Sequence, residues 1–190
     1  MSSPDSTILP VFGATTAAEA GDSRERLQKE VVDLFDELRE PLLRYLASFG
    51  LAHPDGEEVL QEVFLSLFQH LDRGKSRENL RGWLFRVAHN LALKRRYRTR
   101  RDLEARAEPG VGDLAIEPGP NPEDQMLRSQ TRERLLAVIQ ALPEQDRRCL
   151  FLRAEGLRYR EIAGILDMSL GAVSLSLARS LRRMTRSAER

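Results

Sequence analysis

Leu157-Arg158-Tyr159-Arg160-Glu161-Ile162-Ala163-Gly164-Ile165-Leu166-Asp167-Met168-Ser169-Leu170-Gly171-Ala172-Val173-Ser174 reads as one short helix, a tight turn and the start of a second helix. Ile162, Ala163, Ile165 and Leu166 supply the apolar face of the first helix. Ser169 is placed to cap the second, whose inner row is predicted to be Val173, Leu177 and Leu181 at i, i+4, i+8. Ala163 and Gly164 are small, as a close crossing of two helices requires. This is the pattern of a helix-turn-helix, in which one helix braces a second that can lie in the DNA major groove.

Working outward, charge divides the chain. The 190 residues sum to a net charge of only +1. Residues 1–80 carry a net of −7, residues 81–101 hold eight cations and no acid, residues 102–125 sum to −6, and residues 126–190 to +6. Two basic blocks set apart by acidic ones predict two polyanion-binding surfaces, one of them around the helix-turn-helix. The single Cys149, inside Cys149-Leu150-Phe151-Leu152, excludes an internal disulfide and a cysteine-based zinc site and reads as a buried thiol. No apolar run approaches the ~18 residues of a membrane span, so no membrane insertion is expected. The N-terminal stretch has no secretory pattern, and a reducing cytoplasm is the expected location.

Residues 1–22 are rich in Ser, Thr, Ala, Gly and Pro without periodicity and are expected to form a disordered tail. Helical periodicity then starts. Val31, Phe35, Leu38, Leu42 and Leu46 make one stripe, with a kink or break expected at Pro41. A second helix is expected after Pro54-Asp55, with Val59, Val63 and Leu67 beside Leu60, Phe64, Phe68 and Leu71 on a broad buried face. Past a turn near Gly74, a third helix turns Leu80, Leu84, Val87 and Leu91 inward, flanked by Trp83 and Phe85. Pro109-Gly110-Val111-Gly112 and Pro118-Gly119-Pro120-Asn121-Pro122 mark a linker. Helical pattern resumes at Leu127, Leu135, Val138, Ile139 and Leu142, stops at Pro143 and continues to Gly156. The fold class is therefore all-α. Two small helical modules, residues 23–105 and 125–187, are joined by a flexible linker over 106–124, and the second is the helix-turn-helix.

Catalysis finds no footing. The sequence lacks a glycine-rich phosphate loop, a His and carboxylate set at ligand spacing, and a nucleophile with a base; no cofactor or metal is expected. His53, His70 and His89 are scattered and read as surface or packing residues. Binding is what remains. In the third helix, Trp83, Phe85 and Tyr97 are interleaved among Arg81, Arg86, Lys94, Arg95, Arg96 and Arg98. Cations neutralise phosphates and aromatic faces stack on unpaired bases, a combination suited to opening DNA as well as binding it. Burial of Trp83 in the helix packing is the competing reading of that residue.

Three segments carry a family resemblance. Asp55-Gly56-Glu57-Glu58-Val59-Leu60-Gln61-Glu62-Val63-Phe64 resembles region 2 of bacterial RNA polymerase sigma factors. Trp83-Leu84-Phe85-Arg86-Val87-Ala88-His89-Asn90 resembles the promoter-melting segment of the same family. Leu142-Pro143-Glu144-Gln145-Asp146-Arg147-Arg148, with Glu161-Ile162-Ala163 and Gly171-Ala172-Val173, is similar to region 4. Over residues 27–184 the chain is identified as a member of the compact extracytoplasmic-function (ECF) group of the sigma-70 family.

The resemblance implies a transcription initiation factor that binds core RNA polymerase through its β′ and β subunits. Asp55, Glu58, Gln61, Glu62 and Phe64 would dock on the polymerase, an acidic row beside an apolar anchor suiting a basic partner. Asn79, Arg81, Trp83, Arg86, Asn90, Lys94, Arg95 and Arg98 would read and unpair the −10 element. Arg160, Ser169, Gly171, Ala172, Ser174, Leu175, Ser176, Arg179, Arg182 and Arg183 would meet the −35 element as duplex. Lys94 stands where the group often has an acid, and Ser174-Leu175-Ser176 where basic residues are frequent, which moves −35 affinity toward the arginines. Promoter DNA is then the partner, with an anti-sigma factor a further one that the group commonly has. The alternatives are a stand-alone helix-turn-helix regulator binding operator DNA, which leaves residues 81–101 unexplained, and a helical RNA-binding adaptor.

Overall fold

The computed structural model describes residues 17–106 and 135–188. Helices α1 (Ala17–Ala47), α2 (His53–Asp72) and α3 (Leu80–Arg106) form the N-terminal module. The C-terminal module begins with α4, of which 135–140 is described, and continues with α5 (Glu144–Ala154), α6 (Tyr159–Leu166) and α7 (Leu170–Ala188). No strand occurs among the described residues.

Alpha-helical periodicity places α2 at the centre of the first module. Val59, Leu60, Val63, Phe64, Leu67 and Leu71 are buried on it, against Leu38, Leu42, Tyr45 and Leu46 of α1 and Leu84, Phe85, Ala88 and Ala92 of α3. Leu84, Phe85 and Ala88 of α3 are fully shielded, so Phe85 belongs to the packing rather than flanking it. Its ring meets Tyr45 edge-on, with centroids 5.6 Å apart. Trp83 is half-buried against His70, centroids 4.6 Å apart, while the His70 ring bonds the Ser76 carbonyl at 2.9 Å.

Three boundaries differ from expectation. Helix α1 starts inside the stretch assigned to a disordered tail, because Ala17, Ala18, Glu19 and Ala20 favour helix and Asp22 pairs with Arg26 one turn on. Pro41 does not end α1. Leu38 and Leu42 on either side of it are both fully buried, and that packing outweighs the ~3 kcal/mol a helix-interior proline costs. Helix α2 starts at His53 with Pro54 in its first turn, where a missing N–H removes no helical bond. The linker 106–124 and the periodic Leu127 lie outside the described residues, apart from Arg106, which ends α3.

In the second module, Cys149, Leu152, Leu157, Ile162, Ile165, Val173 and Leu177 form the packed interior. Helix α5 closes with Gly156 in the left-handed region (φ +85°), and the Leu157 N–H returns to the Leu152 carbonyl at 3.1 Å. Asp167 does the same for α6 at φ +53°, with Met168 N–H on Ala163 O at 2.9 Å. Ser169 then caps α7 by accepting the Ala172 N–H at 3.1 Å. Helices α6 and α7 turn through 102°, the geometry of a helix-turn-helix. Leu181 is exposed, contrary to its predicted inner position, because the buried face of α7 runs through Val173, Ser176, Leu177 and Ser180 and leaves Leu181 beside it. The tight space at Gly164 is taken by Arg86 of α3 rather than by a helix crossing: a Cβ there would lie 2.9 Å from the guanidinium. Among the described residues no single helix is long and apolar enough to cross a membrane.

The modules pack together. Tyr45 and His89 share a buried hydrogen bond of 2.8 Å beneath the Arg148 guanidinium, which lies 4.3 Å from the centre of the Phe49 ring. Burial, helped by the Arg148 charge, lowers the His89 pKa to about 4. The native state therefore refuses a proton that the unfolded chain accepts below about pH 6.5, and stability is lost as pH falls through that window. Between pH 7 and pH 5 the wild type is expected to lose about 2 kcal/mol more than His89→Gln. Chemical denaturation of both proteins at the two pH values checks this, and equal losses would remove His89 as the cause.

Candidate polymerase and nucleic-acid interface

Position along an exposed helix face decides which charged residues are available. On α2, Glu58, Gln61 and Glu62 face solvent in a row, and Leu65, 58% exposed, continues it one turn on. Phe64, expected as the apolar anchor of this row, is instead buried and packs edge-on against Phe35 with centroids 4.9 Å apart. The apolar group that this surface presents is Leu65. Asp55 is half-buried and accepts Arg95 at 2.6 Å, and Glu58 lies 2.7 Å from the same guanidinium. These carboxylates, Asp55 first, raise the pKa of Arg95.

Helix α3 sorts its candidates by the same logic. Asn79 (φ +52°) accepts the Gly82 N–H at 3.1 Å and caps the helix, and a Cβ at residue 82 would run into its amide. Arg81 reaches Glu37 at 3.0 Å and the Glu155 carbonyl at 2.8 Å. Arg86, Asn90, Lys94, Tyr97 and Arg98 are exposed and, at spacings of three and four, line one face. Tyr97, the most exposed aromatic of the segment, is 64% exposed. Lys94 and Arg98 also line a shallow groove with Glu58 and Glu62, so the basic and acidic rows adjoin.

On α7, Gly171, Ser174, Leu175, Arg179, Arg182 and Arg183 face solvent, with Arg160 exposed on α6. Ser169 is occupied as the cap, and Ala172 is half-buried. Ser176 departs from its expected surface position. It is fully buried, its hydroxyl donating to Asp146 at 2.7 Å. Arg179 joins the same carboxylate at 3.0 Å, which fixes the side chain at the edge of the exposed face. Asp146 is the residue that sequence reasoning missed here. Its partners lie 30 and 33 positions away, and no local spacing signals them.

Comparisons with known proteins agree with this arrangement of two modules. The family "Sigma-70 region 2" matches residues 34–102, and "Sigma-70, region 4" matches residues 132–184. The ECF RNA polymerase sigma-E factor of Escherichia coli (strain K12) is 31% identical over 169 residues, covering 82% of this chain and 87% of that protein. The RNA polymerase sigma-H factor of Pseudomonas aeruginosa is 30% identical over 167 residues, covering 82% and 86%. Among solved structures, the fold is shared with the sigma factor RpoE in complex with the anti-sigma factor NepR from Bartonella quintana. That match has a TM-score of 0.64 at 19% identity, over 83% of this chain and 97% of that one. CnrH in complex with the cytosolic domain of CnrY aligns with a TM-score of 0.56 at 21% identity, over 88% and 92%. With two family regions in order and relatives matched over most of their length, the chain belongs to the sigma-70 family of RNA polymerase sigma factors, in its extracytoplasmic-function group.

Proposed function

We propose that this sigma factor, a transcription initiation factor that directs RNA polymerase to promoters, divides its work among three helical faces. The α2 row of Glu58, Gln61, Glu62 and Leu65 docks core polymerase on a basic helical surface of the β′ subunit. The carboxylates steer the encounter and Leu65 supplies the apolar contact. The α3 row of Arg86, Asn90, Lys94, Tyr97 and Arg98 takes the −10 element. Cations hold the phosphates, Asn90 bonds base edges and Tyr97 stacks on an unpaired base. Trp83, half-buried on His70, supports that surface. On α7, Ser174, Leu175, Arg179, Arg182 and Arg183, with Arg160, meet the −35 duplex, and Leu175 suits a thymine methyl.

The observation that carries this reading is the exposed acidic row on α2 lying beside the exposed basic row on α3. A polymerase-docking face and a DNA face must adjoin if one protein is to open a promoter inside the enzyme. Asp55, Arg95, Asn79 and Ser176 act as supports, since each is engaged within the protein. Action beside the polymerase puts the protein in the cytoplasm. The stand-alone regulator reading is not favoured, because it leaves the α2 and α3 rows without a task.

Mobility shift on a cognate promoter fragment tests the division of labour. The chain alone is expected to leave duplex DNA unshifted at concentrations where chain and core polymerase together give a stable complex. Tight, sequence-specific binding by the chain alone would favour the regulator.

A further inference from the structure

The arginines of α7 are not held alike. Arg182 leans on its own helix, its Nε donating to the Ala178 carbonyl at 3.3 Å. Arg179 is held from another helix. One terminal nitrogen donates to the Asp146 carboxylate of α5 at 3.0 Å, while half of the side chain stays in solvent. The same carboxylate oxygen accepts the Ser176 hydroxyl at 2.7 Å, one turn earlier on α7. Asp146 and Ser176 are both closed off from water, at 4% and 0% exposure.

A buried carboxylate is a poor device for stability alone. Removing it from water is costly even when it is paired, and apolar side chains of similar volume often hold two helices as well. What the carboxylate adds is direction. The Ser176 bond fixes the carboxylate, and the carboxylate fixes one corner of the Arg179 guanidinium. Among the described residues this is the one hydrogen bond of that guanidinium, so the rest of its planar fork remains for a ligand, one turn from the exposed Leu175. Arg95 of α3 makes the contrast, since its fork is taken by two carboxylates, Asp55 and Glu58.

Resting on the reading of α7 as the −35 face, we propose that Asp146 is a positioning residue for promoter recognition. From inside the module it holds the Arg179 fork at the angle that reads a base edge in the major groove. An arginine reads a base through two parallel hydrogen bonds, to an acceptor pair such as O6 and N7 of guanine, and that geometry tolerates little swing. An arginine already immobilised gives up less side-chain freedom on binding, a difference of about two- to tenfold in affinity. Loss of the carboxylate releases a mobile cation that still attracts phosphates of any sequence. Asp146 thus raises the preference for the right bases rather than the affinity for DNA in general.

The test uses holoenzyme made with the full chain, on a genomic fragment that the wild type transcribes and on the same fragment with its −35 segment scrambled. The ratio of the two affinities is the readout. Asp146→Asn keeps an oxygen for Ser176 and removes the charge beside Arg179. It should lower the ratio by about two- to tenfold, with affinity for the scrambled fragment at least that of the wild type. Asp146→Leu with Ser176→Ala exchanges the buried polar pair for apolar groups, should melt no lower than Asp146→Asn, and should lower the ratio equally. In an Arg179→Ala chain neither change should move the ratio further, because the group through which Asp146 acts is gone. Arg182→Ala should instead weaken binding to both fragments alike. A ratio that survives the Asp146 changes, or that falls just as far in the Arg179→Ala chain, overturns the positioning role alone. A wild type with no preference for the intact fragment removes the −35 reading of α7, and the proposal with it.

Discussion

Glu62→Lys combined with Leu65→Ala is expected to lower affinity for core polymerase by about a hundredfold while leaving the melting temperature within a degree or two of wild type. Both side chains are exposed on α2 and neither supports the interior, so the folding cost stays within about 0.5 kcal/mol. An apolar anchor at a docking centre is worth on the order of 2 kcal/mol, and reversing a facing charge about 1 kcal/mol more. Together these give about two decades in Kd. Titration of labelled chain with core polymerase reads the change. An unaltered Kd would remove this face of α2 from the docking surface. Glu62 is preferred to Glu58 for the test because Glu58 also pairs with Arg95, and changing it would disturb the seam between α2 and α3.

The second large effect concerns α3. Replacing Arg86, Lys94 and Arg98 together by Ala is expected to weaken −10 single-strand binding by holoenzyme roughly fiftyfold at physiological salt. Each phosphate contact on a single strand contributes about 0.7 to the salt slope, so the slope should flatten by about two. Arg95→Ala supplies the contrast. That guanidinium is committed to Asp55 and Glu58, and its loss should reduce stability by about 1 kcal/mol with the salt slope unchanged. Equal salt slopes for the triple variant and wild type would show that the row does not touch phosphates. A Phe85→Ala protein should instead lose about 3–5 kcal/mol of stability, since that ring is fully enclosed.

Much of this architecture is legible in the sequence because its signals are local. Cap, turn and apolar row in residues 157–174 lie within a few turns of one another, so spacing alone yields the helix-turn-helix. The buried rows of α2 likewise follow from 3.6-residue periodicity. That periodicity already put Phe64 on the inward side of α2, which is why it cannot also serve as an outward anchor; the next position, Leu65, does. Ser176 looked like a surface residue because serine is polar, yet Asp146, thirty positions earlier, gives its hydroxyl a buried partner. Leu181 continues the i, i+4 row of Val173 and Leu177, but the buried face of α7 passes through Ser176 and Ser180 and leaves it outside. Asn79 caps its helix and Arg95 braces α3 against α2, engagements that the residue types alone do not reveal. The contacts of Glu144 and Glu155 with Arg96 and Arg81 join positions 48 and 74 apart, and only the packed modules bring them together.

Promoter opening tests the central claim most directly. Thymines of the −10 region on a cognate promoter should become reactive to permanganate when the chain and core polymerase are both present. They should stay protected in the duplex with either alone. Specific occupancy of the promoter by the chain alone, together with no thymine reactivity after core polymerase is added, would contradict the account.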